Sequence, residues 1–138
     1  MKNRVFLGGT WNKTTWRDDL IKLLDKPEVD FFNPVVEDWT PECQEIEKTE
    51  KEVHCNVHLY VLTSAMTGVF SVAEVVDSAN TYGKITILHV MPKGFTEGQI
   101  RSLKATAELV TKAGGIAYFS DDIEKTAIIL NELTCDID

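Results

Sequence analysis

No run of apolar residues in this 138-residue sequence is long enough to cross a membrane, and no leader-like segment precedes the first strand-like run, Arg4-Val5-Phe6-Leu7-Gly8. Membrane and secreted classes are therefore not expected. Cysteine is scarce and odd in number: Cys43, Cys55 and Cys135 show no CxxC spacing. That excludes a disulfide framework and implies free thiols in a reducing cytoplasm. His54, His58 and His89 form no metal-binding motif, so no metal is expected; His58 alternates with apolar residues and reads as a buried or edge histidine. Basic residues are also few. Fourteen Lys and Arg face 22 Asp and Glu, for a net charge of −8, which argues against binding a nucleic acid polymer. Glu42, Glu45, Glu47, Glu50 and Glu52 cluster, and most of them read as a solvated helix face. Linker-like stretches and internal repeats are missing too, so residues 1–138 read as one domain.

What is present is a regular alternation of strand and helix signals. After the first strand, Trp16, Leu20, Leu23 and Leu24 fall at helical spacing, with Thr14 or Thr15 as cap, Asp18 and Asp19 in the first turn, and Pro27 beyond. Val29 to Phe32 is a short strand closed by Asn33-Pro34. Pro41 suits the first turn of a second helix, capped by Thr40 and running to about His54. Asn56 to Thr63 is the clearest strand. Ser71 opens a third helix through about Tyr82, with Gly83 just past its end. Ile85 to Val90 and Ile116 to Phe119 are strands. They flank a helix capped by Thr96 and ending near Lys112, and Ser120-Asp121-Asp122 caps a last helix to about Leu133. Such alternation predicts an α/β fold, with a mostly parallel five-stranded sheet and helices on both faces. Ligands in such sheets bind beyond the strands' carboxyl ends, near a switch in strand order.

Three loops lie at that edge: Gly8 to Thr14, Asn33 to Thr40, and Thr63 to Ser71. Gly8-Gly9-Thr10 lets the backbone approach a ligand closely, or simply makes a tight turn into the helix. It is neither GxGxxG nor a Walker loop, so no dinucleotide or ATP site follows. Trp11 and Trp39 are loop tryptophans able to stack on a flat ligand, whereas Trp16 belongs to an apolar stripe and reads as core. Ser71-Val72-Ala73-Glu74 has the spacing of a capping box, a complete structural role for Glu74. The competing role is a nucleophile or base at the sheet's carboxyl edge. Asp77 lies three residues on, so it shares a helix face with Glu74, and two carboxylates that close could shift one another's pKa for acid/base chemistry. Asn33, Asp38 and Asn56 could each bind ligand or satisfy local backbone.

Taken in order, VFLGGTW, FFNPVVEDW, HLYVLTSAMTG and SVAEVVDSAN resemble the nucleoside 2-deoxyribosyltransferase-like family, from about Val5 to Ile87. The resemblance implies a flavodoxin-like (Rossmann-like) three-layer sandwich. It also implies breakage of a nucleoside's N-glycosidic bond through a glutamate glycosyl-enzyme, with a second base or water then taking the sugar. On this resemblance Glu74 is the nucleophile. Gly8, Gly9, Thr10 and Trp11 line the pocket, Asp38 and Trp39 cover the base, and Thr67, Gly68 and Ser71 could hold a 5′-phosphate. No cofactor is required, the substrate is a small nucleoside or nucleotide, and a homo-oligomer is expected.

The sequence also departs from the family pattern. Phe6 stands where a tyrosine orients the nucleophile, and Gly68 where an aspartate lies six residues before the glutamate. An aspartate of the helix before the third strand falls near Lys48, with Glu45 and Glu52 as possible stand-ins. A C-terminal tyrosine lent by a neighbouring subunit has no counterpart in Cys135-Asp136-Ile137-Asp138. Base exchange, hydrolysis, a catalytically inactive nucleotide-binding module and a role in assembly all remain as readings.

Overall fold

The computed structural model describes residues 2–133; the C-terminal motif from Cys135 lies outside them. β1 spans Asn3–Gly9, α1 Trp16–Leu23, β2 Val29–Phe32 and α2 Pro41–Thr49. A π-helical turn, Glu50–His54, leads into β3, Val57–Leu62. Then come α3 Phe70–Ala79, β4 Ile85–Val90, α4 Glu97–Lys112, β5 Ile116–Phe119 and α5 Glu124–Glu132. All strand pairs are parallel, in the order β2-β1-β3-β4-β5. The chain steps from β1 outward to β2, then back across to β3, so the strand order switches between β1 and β3.

Strand periodicity sorts the core into two layers. Val5, Leu7, Val57, Leu59, Val61 and Ile87 pack with Trp16 and Leu20 of α1 and Ala127 and Leu130 of α5. Tyr60, Leu62, Leu88 and Val90 point the other way, against Val75 of α3 and Leu103 and Val110 of α4. The π-helical turn lies on this second face, because His58, which points that way, bonds the Lys51 carbonyl. Right-handed crossovers require this division of helices. β3, paired on both sides, is buried at all six positions.

Some boundaries differ from the sequence expectation. The second helix ends as an α-helix at Thr49, and its last turn widens, with the Cys55 N–H reaching the Glu50 carbonyl at 2.8 Å. Before that turn, α2 buries none of its residues. The third helix begins at Phe70 and stops at Ala79, short of Tyr82. It stops because the side chains of Asn80 and Thr81 bond back to the carbonyls of Val76 and Asp77 at 2.9 and 2.8 Å. Gly83, at φ +84°, turns the chain toward β4. Asn56 sits at the amino end of the sheet, bonding the Arg4 N–H and Asn3, far along β3 from any carboxyl-edge site.

Candidate functional site

A cavity of 480 Å³ opens at the carboxyl ends of β1 and β3, where the strand order switches. Its floor is Gly8, Gly9 and Thr10; its walls include Trp11, Trp39, Thr67, Gly68, Ser71 and Glu74. That volume suits a ligand of nucleoside size. Two adjacent glycines shape the floor differently. At Gly8 a Cβ would lie 2.9 Å from the Tyr60 ring. At Gly9, φ is +109° and a Cβ would fall 2.2 Å from the Val61 carbonyl oxygen, so only glycine fits. The close approach expected of these glycines is thus made to β3 as well as to the cavity.

Thr10 ties the two strands together beyond the ladder. Its N–H donates to the Val61 carbonyl, and its Oγ1 accepts from the Thr63 N–H. Its own carbonyl accepts from Trp16 Nε1 at 2.7 Å and from Arg17 at 3.0 Å. Arg17 had no functional signal in the sequence, yet it is buried beside the cavity. Its guanidinium donates to the carbonyls of Leu7, Thr10 and Gly9 and lies over the Trp16 ring. Burial pushes its pKa down to about 10, against the pull of Glu47. Across the mouth, Asn12 donates to the Thr67 hydroxyl at 2.9 Å, joining the first and third loops.

The tryptophans divide as their loop and helix positions suggest. Trp16 is 3% exposed, while Trp11 and Trp39 are 60% and 58% exposed on the cavity wall. Asn33 does not line this cavity; its side chain accepts from the Val35 N–H in a local turn. Asp38 is exposed outside it, and so is Asp77. Asp77, about 60° round α3 from Glu74, faces solvent, whereas Ser78, one turn after Glu74, is buried.

Glu74 itself is not a cap. The chain enters α3 through Val69, so Ser71 already lies inside the helix, and no side chain caps it. The expected Ser71–Glu74 box is therefore not formed. Glu74 Oε2 instead accepts from Lys51 Nζ at 2.8 Å, both side chains being about four-fifths buried (22% and 20% exposed).

The acidic helix needs a related correction. Glu45 and Glu52 are exposed, whereas Glu47 lines the cavity. Glu47 and Lys51 are four apart and share one face, which is turned toward α3. Burial and the nearby charge of Glu74 push the Glu47 carboxyl up, against the opposing pull of Lys51 and Arg17. Glu50 is also no solvated acid: it bonds Arg4 Nε at 2.9 Å. An acid that turns inward looks the same in the sequence as its exposed neighbours, so no pattern marked Glu47.

The fold is a parallel α/β sandwich with its cavity at the strand-order switch. The family profile described as nucleoside 2-deoxyribosyltransferase like matches residues 2–94, from β1 through the loop after β4, and the chain belongs to that family. No curated protein gives a significant match. Among the described residues no helix is long and apolar enough to cross a membrane.

Proposed function

We propose that this protein breaks the N-glycosidic bond of a deoxynucleoside or its 5′-monophosphate, and that Glu74 carries the sugar. The observation behind this is a carboxylate with no capping duty, on the wall of a nucleoside-sized cavity between exposed tryptophans. In the first half-reaction a Glu74 oxygen bonds to the anomeric carbon. The C–N bond breaks, and its electron pair leaves with the base. Glu47, its carboxyl pushed up by burial, supplies the proton that the departing nitrogen takes. In the second, an acceptor base or water attacks the same carbon, the Glu47 carboxylate takes the acceptor's proton, and Glu74 leaves as carboxylate. Two carboxyl groups with different duties are what glycoside chemistry with retention requires.

Trp11 and Trp39 are suited to stack on the base. A 5′-phosphate suits the loop before α3, which offers the Thr67 hydroxyl, open space at Gly68 and a helix start with no side-chain cap. Equal affinity for matched nucleosides with and without phosphate would refute that placement.

The test is incubation with the four 2′-deoxynucleosides and their 5′-monophosphates, with and without a free acceptor base, followed by chromatography. Exchange identifies a transferase and release alone a hydrolase. Glu74→Gln is expected to lower turnover by about a thousandfold or more while keeping the ligand-induced rise in melting temperature. No turnover by the unaltered protein with any compound would leave a nucleotide-binding module.

A further inference from the structure

We infer that Lys51 is the positioning residue of the reaction: it holds Glu74 Oε2 so that Oε1 is the oxygen presented to the anomeric carbon. This rests on the assignment of Glu74 as nucleophile. Lys51 does not line the cavity; it stands behind Glu74, its Nζ 2.8 Å from Oε2 and 6.0 Å over the ring of Phe6, which does line it. A carboxylate on a three-bond stem turns freely about its last torsion unless one oxygen is held. Here the oxygen on the Lys51 side is held by a charged donor in a mostly buried setting, where such a bond is strong and directional. Phe6 offers no hydroxyl to do the same.

What holds Lys51 is equally specific. Its backbone carbonyl can only accept, so His58 Nε2, 2.7 Å away, carries a proton and donates it. His58 Nδ1 is then an acceptor and takes the Ser78 hydroxyl at 2.9 Å, leaving Ser78 Oγ to accept from the Tyr60 hydroxyl at 2.9 Å. Ser78 lies one helical turn after Glu74 on α3. Two struts therefore join the same two segments: a main-chain strut, from the π-helical turn through His58 to Ser78, and a side-chain strut, from Lys51 to Glu74. The first keeps the frame when the second is cut.

The role spans both half-reactions. During attack, Lys51 fixes the angle of the carboxylate. In the glycosyl ester its donor remains on the carbonyl oxygen, Oε2. When the acceptor displaces Oε1, negative charge returns to a carboxylate that already has an ammonium beside it. No atom of Lys51 enters a covalent bond.

The test uses the compound that the deoxynucleoside panel shows to be turned over fastest, with kcat and KM measured for Lys51→Met and Lys51→Arg. In Lys51→Met, kcat is expected to fall by about ten- to a hundredfold with KM within about threefold. Lys51→Arg, which restores a charged donor, is expected to recover at least part of that loss. A lysine that served only the fold would lower the melting temperature and leave kcat per folded molecule unchanged, and that result overturns the inference. Should Lys51→Met not fold, Lys51→Ala removes the same donor and gives the same comparison. An active protein with unaffected kcat in these variants refutes the role of Lys51 alone; an inactive unaltered protein refutes the assignment of Glu74 and this role with it.

Discussion

At Gly9 the backbone sits at φ +109° with no room for a Cβ. Gly9→Ala is expected to cost about 2–4 kcal/mol, read as a lower urea midpoint at unchanged slope, because Val61 of the central strand cannot move away. The paired glycines marked a place where a Cβ is not tolerated; that the neighbour is the backbone of β3 was not legible. Arg17 makes the complementary point. The carbonyls of Leu7 and Gly9 in β1, and of Thr10 just past it, accept from its guanidinium, and Arg17→Ala is expected to destabilise by about 3 kcal/mol, chiefly by removing donors from acceptors in the interior. Nothing in the sequence separates an arginine turned back onto the preceding strand from one in water, since that depends on how α1 docks. Glu47 escaped notice for the same reason: five similar acids differ only in which way the helix is rotated.

Two segments with the same short pattern behave differently as elements. Thr96 and Gln99 form a full capping box, the Gln99 N–H donating to Thr96 Oγ1 at 3.1 Å and the Thr96 N–H to Gln99 Oε1 at 2.9 Å. Ser71 and Glu74 have that spacing and make neither bond. Thr96→Ala is therefore expected to lower stability by about 1 kcal/mol, while Ser71→Ala should change it by less than about 0.5 kcal/mol. Equal losses from the two, measured by denaturant unfolding, would contradict the observed start of α3. The reason lies one step upstream: the chain turns into α3 at Val69, which carries Ser71 past the cap position. The order and type of the elements could be read from periodicity and punctuation. The widened turn after α2 could not: it is accompanied by the long-range contact of the Lys51 carbonyl with His58 of β3, which no local pattern encodes.

Across the whole molecule, buried neutral histidines should set the acid limit. Desolvation pushes His58 down to about 4 and lowers His89, whose Nε2 donates to the Ser120 carbonyl and whose Nδ1 accepts from Thr126. An unfolded histidine titrates near 6.5, so below that pH the unfolded chain takes up protons that the native state refuses. Stability is then fully present above about pH 6.5 and falls as pH drops toward 4. His58 accounts for a loss on the order of 3 kcal/mol, offset in part by Glu47, whose raised carboxyl favours the native state on the acid side. Unfolding midpoints at pH 7, 5.5 and 4.5 check this, and His58→Gln should flatten the decline even though it lowers stability at pH 7. The helix α2 has a different global consequence. With no buried residue, its amides should exchange with deuterium through local opening, far sooner than those of β3. A ligand touching Trp39 just before it and Glu47 within it must quench that opening. Exchange at residues 41–49 should therefore slow on binding, and affinity should be lower than the cavity contacts alone would suggest.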